Sequence, residues 1–177
     1  MNILGIESTC DETGVALVKD GKQILSNVIA SSVDLHKKYG GVVPEVAARE
    51  QVRVIIPVIK EAFVKANLSV FQIDAIACAY GPGLVGSLLI GVETAKTLAV
   101  AWNKPLVPVN HLIAHVYANW LERTTDYGLQ TAVVDSRQST VNKQEIYFLL
   151  SCEISSIYSQ GGRGRRIHNL FFFPNIA

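Results

Sequence analysis

Residues 2–30 read NILGIESTCDETGVALVKDGKQILSNVIA, and this stretch decides the fold. Residues 2–7, 14–18 and 23–30 each carry enough apolar side chains to form a strand. The dipeptide Asp20-Gly21 between the second and third segments tolerates the positive φ angles of a tight hairpin turn. Three strands joined this closely predict an antiparallel meander.

A long helix is predicted to follow the meander. Pro44 and Glu45 open it, because proline fits the first helical turn and glutamate favours the positive end of the helix dipole. Pro57 lies inside the pattern and predicts a kink or a break near Ile56. Apolar residues at helical spacing predict one buried face, made of Val52, Ile55, Ile56, Ile59, Phe63 and Ala66.

Two strand–helix units complete the patterned part of the chain. Residues 73–80 and 105–109 predict strands, and residues 84–103 predict the helix between them. Asn110 is suited to cap a last helix that runs from His111 to about Arg123. The order β-β-β-α-β-α-β-α predicts an α/β fold with a mixed sheet and helices on its faces. This pattern resembles one lobe of an actin-like, ribonuclease-H-like ATPase.

Composition limits the class of protein. The chain has 177 residues, a net charge of +1 and 18% charged residues. These values predict one globular domain and exclude nucleic-acid binding through a strong overall positive field. No uninterrupted apolar run approaches about 18 residues, and Glu7, Asp11 and Glu12 follow the N-terminus at once, so neither a membrane span nor a secretory signal is expected. Three widely spaced cysteines favour reduced thiols in the cytoplasm.

The patterned part and the rest of the chain are predicted to be distinct. Residues 1–123 form the predicted lobe. Residues 124–177 lose strand and helix periodicity and contain a cluster of arginines and a run of three phenylalanines. We interpret this tail as a frameshifted or decayed segment.

The first candidate site is the turn after the first strand, residues 5–13. Ser8 and Thr9 are suited to hold phosphate oxygens through hydroxyl and backbone N–H groups. Asp11 and Glu12 are suited to hold a metal or to accept a proton. A polar turn at the sheet edge with no ligand is the alternative.

The second candidate is the glycine-rich turn at Gly81 and Gly83. It is not a P-loop, because no Gly-Lys-Ser/Thr follows. Its backbone N–H groups are suited to an anion, such as a nucleotide phosphate. Close packing of the following helix on the sheet is the alternative.

The third candidate is the pair His111 and His115. Histidines at i and i+4 share a helix face, and their rings can meet on one metal ion. The metalloprotease version of this motif has glutamate directly after the first histidine, where this chain has Leu112. Two ligands do not complete a site, and two partly buried, hydrogen-bonded histidines are the alternative.

The order of these motifs is more specific than any one of them. Four motifs follow one another along the chain: GIESTCDET at residues 5–13, GGVVPEVAARE at 40–50, YGPGLVGSLLIG at 80–91 and NHLIAH at 110–115. Together they closely resemble the bacterial tRNA adenosine threonylcarbamoyltransferase family, formerly called O-sialoglycoprotein endopeptidase. The resemblance covers about residues 2–122.

The resemblance implies a reaction and a set of partners. The family moves the threonylcarbamoyl group of threonylcarbamoyl-adenylate to the exocyclic amine of the adenosine 3′ of the anticodon, in tRNAs that read codons beginning with A. It implies a divalent metal, iron or zinc, on His111 and His115, with Asp11 and Glu12 in the same site. It also implies an adenylate substrate, with ATP as a further ligand. The implied partners are tRNA, a paralogous non-catalytic actin-like subunit and a small ATPase, with no membrane.

The chain departs from the family pattern after the histidine helix. Family members continue with a nucleotide-binding Ser-Gly-Gly-His-Thr segment and a later aspartate ligand, and neither is found in residues 124–177. The chain is therefore expected to be an incomplete, inactive version of the enzyme. A metallopeptidase and a non-catalytic dimerisation module are the alternatives.

Overall fold

The protein is described from a computed structural model, which covers residues 1–118 and 121. The predicted tail at 124–177 lies outside the described residues. Two short 3-10 turns, Lys37–Tyr39 and Val70–Gln72, join longer elements. Those elements, in chain order, are β1 (Asn2–Glu7), β2 (Glu12–Lys19), β3 (Gln23–Ser31), α1 (Val33–His36), α2 (Pro44–Ala66), β4 (Ala75–Gly81), α3 (Val85–Trp102), β5 (Leu106–Asn110) and α4 (His111–Tyr117).

The five strands form one mixed sheet in the order β3-β2-β1-β4-β5. The predicted meander is confirmed, since β1, β2 and β3 pair antiparallel. Asp20 and Gly21 in its hairpin turn have φ angles of 53° and 69°, which a two-residue turn of this hand requires. The strands β4 and β5 extend the sheet in parallel with β1. This order is that of an actin-like, ribonuclease-H-like lobe, and the predicted fold class is confirmed.

Helices cover both faces of the sheet. The helices α2 and α3 pack on the face that carries Leu4, Ile6 and Leu17. The opposite face carries Ile3 and Val18, and Ala114 of α4 packs against it. Side chains alternate between the two faces along a strand. The position of each site residue along its strand therefore determines the face on which its side chain lies.

The predicted buried face of α2 is partly wrong. Ile55 and Ile59 are buried as expected, but Val52 is 58% exposed and Ile56 is 45% exposed. The sheet covers a narrower and rotated stripe of the helix, consisting of Ala47, Gln51, Ile55, Val58, Ile59 and Ala62. Periodicity identified the helix but could not show that a polar residue, Gln51, belongs to its buried side.

The helix α2 continues through Pro57. Of the predicted kink or break near Ile56, the break is therefore wrong, and the kink stays a prediction. Ile55, Val58 and Ile59 pack against the sheet on both sides of the proline, and this packing outweighs the hydrogen bond that proline cannot make. The structure describes α4 as His111–Tyr117, and the predicted end near Arg123 lies outside the described residues.

The apolar character of α3 exceeds what the sequence reading expected. By length and composition alone, Val85–Trp102 is apolar enough to cross a membrane. Core helices pass the same test, and α3 buries Ser87, Gly91, Ala95 and Ala99. The expected absence of a membrane partner therefore stays a prediction.

Candidate functional site at the strand edge

The predicted site motifs meet at one edge of the sheet. The strands β1, β4 and β5 run parallel, so their carboxyl ends lie side by side. These strands end at Glu7, Gly81 and Asn110. Ser8, Gly81 and His111, one residue from each predicted motif, lie at or directly after these ends. Ligand sites of open α/β sheets lie at this edge.

The first two predicted motifs are in direct contact. The backbone N–H of Leu84 donates to the carbonyl of Thr9 at 2.8 Å, and the hydroxyl of Ser87 donates to the carbonyl of Cys10 at 2.8 Å. A Cβ at Gly83 would lie 2.5 Å from the Thr9 carbonyl oxygen. The turn at Gly81 and Gly83 is therefore glycine-rich partly because it packs against the turn at residues 8–10.

The hydroxyl of Ser8 has a structural role. Ser8 is buried, and its Oγ donates to the carbonyl of Ser87 at 2.8 Å and accepts from the N–H of Gly91 at 3.0 Å. Both bonds hold α3 against β1. The predicted contacts of Ser8, Thr9, Gly81 and Gly83 with a nucleotide stay predictions, and for Ser8 the backbone is the part that remains available.

The two histidines converge as their spacing predicted. Asn110 caps α4, and its Oδ1 accepts from the N–H groups of Leu112 at 3.0 Å and Ile113 at 3.2 Å. This cap sets His111 and His115 on one turn, with their Nε2 atoms 2.9 Å apart. The rings are nearly perpendicular, and their centroids are 4.4 Å apart.

Glu7 is the site residue that sequence reasoning missed. Its carboxylate is buried, with Oε2 lying 3.4 Å from Nδ1 of His111 and Oε1 accepting the N–H of Thr9 at 2.9 Å. One side chain thus connects the first turn to the histidine helix. A glutamate at the end of an otherwise apolar strand was the available signal.

The two predicted catalytic carboxylates have different surroundings. Thr13 and Asp11 line a small cavity beside α2. Alternation along β2 places Glu12 on the opposite face, which is the face of Glu7 and α4. Glu12 therefore shares the histidine side of the sheet, and Asp11 borders both the edge and the cavity.

The donor set fits a metal ion in part. Two imidazole nitrogens bound to one ion at about 2.0–2.1 Å lie no more than about 4.2 Å apart, and the Nε2 separation of 2.9 Å meets that limit. Within residues 1–118 and 121, no group of three or more His, Cys, Asp and Glu side chains could hold a metal. The histidines therefore represent two ligands of a larger set.

Cys78 lies near this edge but is unsuited to act as a nucleophile. Burial raises the pKa of its thiol, and the charge of Glu7 raises that pKa further. The reactive thiolate is therefore scarce at neutral pH.

Comparison with known proteins gives the family. The family model for tRNA N6-adenosine threonylcarbamoyltransferase matches residues 23–149. The chain belongs to this family. The match runs past residue 123, where the sequence analysis placed the end of the lobe.

Curated threonylcarbamoyltransferases from bacteria are close in sequence. The chain is 60% identical over 121 residues to the tRNA N6-adenosine threonylcarbamoyltransferase of Thermomicrobium roseum, covering 68% of this chain and 33% of that protein. It is 58% identical over 121 residues to the relative from Bacillus subtilis, covering 68% of this chain and 35% of that protein. The chain thus spans about a third of the length of these relatives.

Solved structures give a more distant likeness. YeaZ from Pseudomonas aeruginosa is 19% identical, with a TM-score of 0.49 over 67% of this chain and 50% of that chain.

Proposed function

We propose that this lobe serves the transfer of a threonylcarbamoyl group from threonylcarbamoyl-adenylate to the N6 amine of the adenosine 3′ of the anticodon, in tRNAs that read A-starting codons. The observation that carries the proposal is the convergence of His111 and His115, backed by Glu7, in a chain of the threonylcarbamoyltransferase family. Because the chain spans about a third of its relatives, the activity belongs to a larger assembly of which this lobe is one part.

The reaction needs a base and a polarised carbonyl. The N6 nitrogen forms a bond to the carbamoyl carbon, the bond from that carbon to the adenylate oxygen breaks, AMP leaves, and the amine loses a proton. Glu12 is the favoured proton acceptor, because alternation puts it on the face of the histidines. Asp11 is the second candidate, from the same turn.

His111 and His115 are the residues that would hold a divalent metal, with iron or zinc as the candidates. Bound there, the ion supplies Lewis acidity toward the carbonyl and the phosphate. Glu7 accepts a hydrogen bond from the Nδ1–H of His111 in the neutral tautomer that leaves Nε2 as the ligand atom. The described residues supply this pair and its orientation, and further ligands come from elsewhere.

The adenylate and ATP are proposed to meet the two turns that contact each other. The N–H groups of Thr9 and Leu84 already donate to Glu7 and to the Thr9 carbonyl. Other backbone N–H groups of these two turns are therefore the candidate phosphate donors. The contact between the Thr9 carbonyl and the Leu84 N–H holds these turns in fixed relation. A ligand bound to one turn would therefore also meet the other.

The proposed partners are tRNA, a paralogous non-catalytic actin-like subunit and a small ATPase, in the cytoplasm. The family resemblance supports all of these. The exposed apolar side chains of Val52 and Ile56 on α2, and of Val85 and Leu89 on α3, further support association with another subunit. They also favour the second candidate function, a dimerisation module without catalysis. Purification with the paralogous subunit, in the absence of tRNA modification, would select that alternative.

A chimera tests the proposed function. This lobe replaces the matching 121 residues of the Bacillus subtilis relative, and the chimera is incubated with its partner proteins, unmodified tRNA, threonine, bicarbonate and ATP. Nucleoside mass spectrometry is expected to detect threonylcarbamoyladenosine. A folded chimera without product counts against the proposal, and chelator-sensitive casein cleavage would instead favour a peptidase.

A further inference from the structure

A small cavity lies between β2, β3 and α2, on the sheet face opposite the histidines. Its volume is about 10 Å³, room for one particle of the size of a water molecule. Two apolar residues, Ala30 and Val54, form part of its wall. The polar lining consists of Asp11, Thr13, Ser31, Ser32, Glu50 and Gln51.

Two buried oxygens of this lining have no hydrogen-bond partner within the described residues. They are Oε1 of Gln51 and Oγ1 of Thr13, in side chains that are each 1% exposed. The amide of Gln51 cannot be reversed, because its Nε2 donates to the carbonyls of Cys10 and Glu12 at 3.2 Å each. Oε1 is therefore an acceptor that lacks a donor, and such a group is costly to bury.

The lining is also rich in negative charge. Glu50 forms an ion pair with Arg53 at 2.9 Å, whereas no ion pair of Asp11 occurs among residues 1–118 and 121. The hydroxyl of Ser32 donates to the carbonyl of Asp11 at 2.7 Å, so its proton is already used. The lining residues thus include buried acceptors and Asp11, whose carboxylate forms no ion pair among the described residues.

We propose that this cavity binds one monovalent cation of the class of Na⁺ and K⁺, on Gln51 Oε1, Thr13 Oγ1 and the Asp11 carboxylate. Its single charge balances the Asp11 carboxylate, which has no ion-pair partner in the part of the chain that the structure describes. Mg²⁺ retains several waters when it binds, and a space for one water-sized particle excludes that shell. The proposal does not rest on the proposed threonylcarbamoyl transfer, although the two sites share Asp11. A bound ion ties α2 to the turn at residues 10–13.

Thermal unfolding of the full chain in chloride salts of equal ionic strength tests the site. Because a ligand of the native state raises the melting temperature, the Tm in NaCl or KCl is expected to exceed that in choline chloride by roughly 3 °C or more. The better of the two salts identifies the preferred ion. Equal Tm values in all three salts would overturn the proposal.

A matched pair of variants locates the effect. Thr13→Val removes a cavity oxygen at nearly constant volume and is expected to abolish the salt difference. Ser26→Ala also removes a buried hydroxyl that has no partner within residues 1–118 and 121. Ser26 does not line the cavity, so the salt difference should persist. A Thr13→Val chain that melts higher than the wild type in every salt would indicate an unfilled cavity and overturn the proposal.

A crystal of the wild-type chain grown in RbCl gives a result that needs no variant. An anomalous peak in the cavity within coordination distance of Gln51 Oε1 supports the site. If KCl is the better stabilising salt, density for a water molecule without an anomalous signal would overturn it. If NaCl is better, the crystal is grown in NaCl, and contact distances typical of a water molecule, longer than those of Na⁺, would overturn it.

Discussion

At the residue scale, Glu7 accepts a hydrogen bond from His111, and glutamine at this position could not fully replace it. In Glu7→Gln, the side-chain oxygen can still accept from the N–H of Thr9, but an NH₂ group then faces Nδ1 of His111. We expect Zn²⁺ affinity of the chain to fall about tenfold or more, as for other partners of metal-bound histidines. Isothermal titration measures the change. Glu45→Gln, at an exposed carboxylate of α2, is the control, and equal affinities of the two variants would contradict this role.

How far the sequence predicts the site depends on how local each interaction is. The histidine pair and the Asn110 cap lie within six residues, and spacing and capping rules predicted both. The contact of Glu7 with His111 joins residues 104 positions apart, and only the parallel pairing of β1, β4 and β5 brings them together. Ser8 was predicted as a ligand because its turn is polar, but its hydroxyl bonds to α3, an interaction that no local pattern reveals.

At the scale of elements, substitutions at Ile55 and Ile56 test which face of α2 is buried. Ile55 is 3% exposed, whereas Ile56 is 45% exposed. Ile55→Asp buries an unpaired charge and is expected to lower the free energy of unfolding by about 3–5 kcal/mol, enough to unfold the lobe. Ile56→Asp should cost about 1 kcal/mol or less. Chemical denaturation followed by circular dichroism measures both, and equal losses would show that the stripe is misplaced.

The packing of α3 against the end of β1 gives a second prediction at this scale, which compares two glycine substitutions. A Cβ at Gly91 would overlap Ser8 Oγ, whereas one at Gly86 would meet Ala48 Cβ at 3.7 Å, an ordinary contact. Gly91→Ala should therefore destabilise by about 1–3 kcal/mol. Gly86→Ala should be neutral or stabilise by up to about 1 kcal/mol, because alanine is the better helix former. Thermal melts compare the two, and a stable Gly91→Ala chain would contradict the observed packing.

The element order and the sheet class followed from strand patterns, turn residues and glycine breaks, and the structure confirmed them. The sequence pattern did not predict the buried side of α2 correctly, since that side includes Gln51 and leaves Val52 exposed. Contacts with the sheet decide which of two adjacent faces of α2 is buried. The continuity of α2 through Pro57 has the same origin.

At the scale of the whole molecule, the 177-residue chain alone is expected to leave tRNA unmodified. Within the described residues the two histidines converge, and no third His, Cys, Asp or Glu side chain joins them as a metal ligand. Positioning of reactants can contribute roughly 7–11 kcal/mol of barrier lowering, and one lobe supplies only part of it. Nucleoside mass spectrometry of tRNA after incubation with the chain and its partner proteins measures this. Product above the no-protein control would show that this lobe is sufficient.

The most direct test of the account compares two variants of the chimera with the Bacillus subtilis relative. Metal binding and catalysis are proposed for the histidine pair, so His111→Ala should abolish threonylcarbamoyladenosine formation. Leu112→Ala, at the adjacent and exposed position of α4, should retain it. The measurement is the yield of the modified nucleoside by mass spectrometry, with equal folding verified by circular dichroism. Full product from a folded His111→Ala chimera would contradict the central claim.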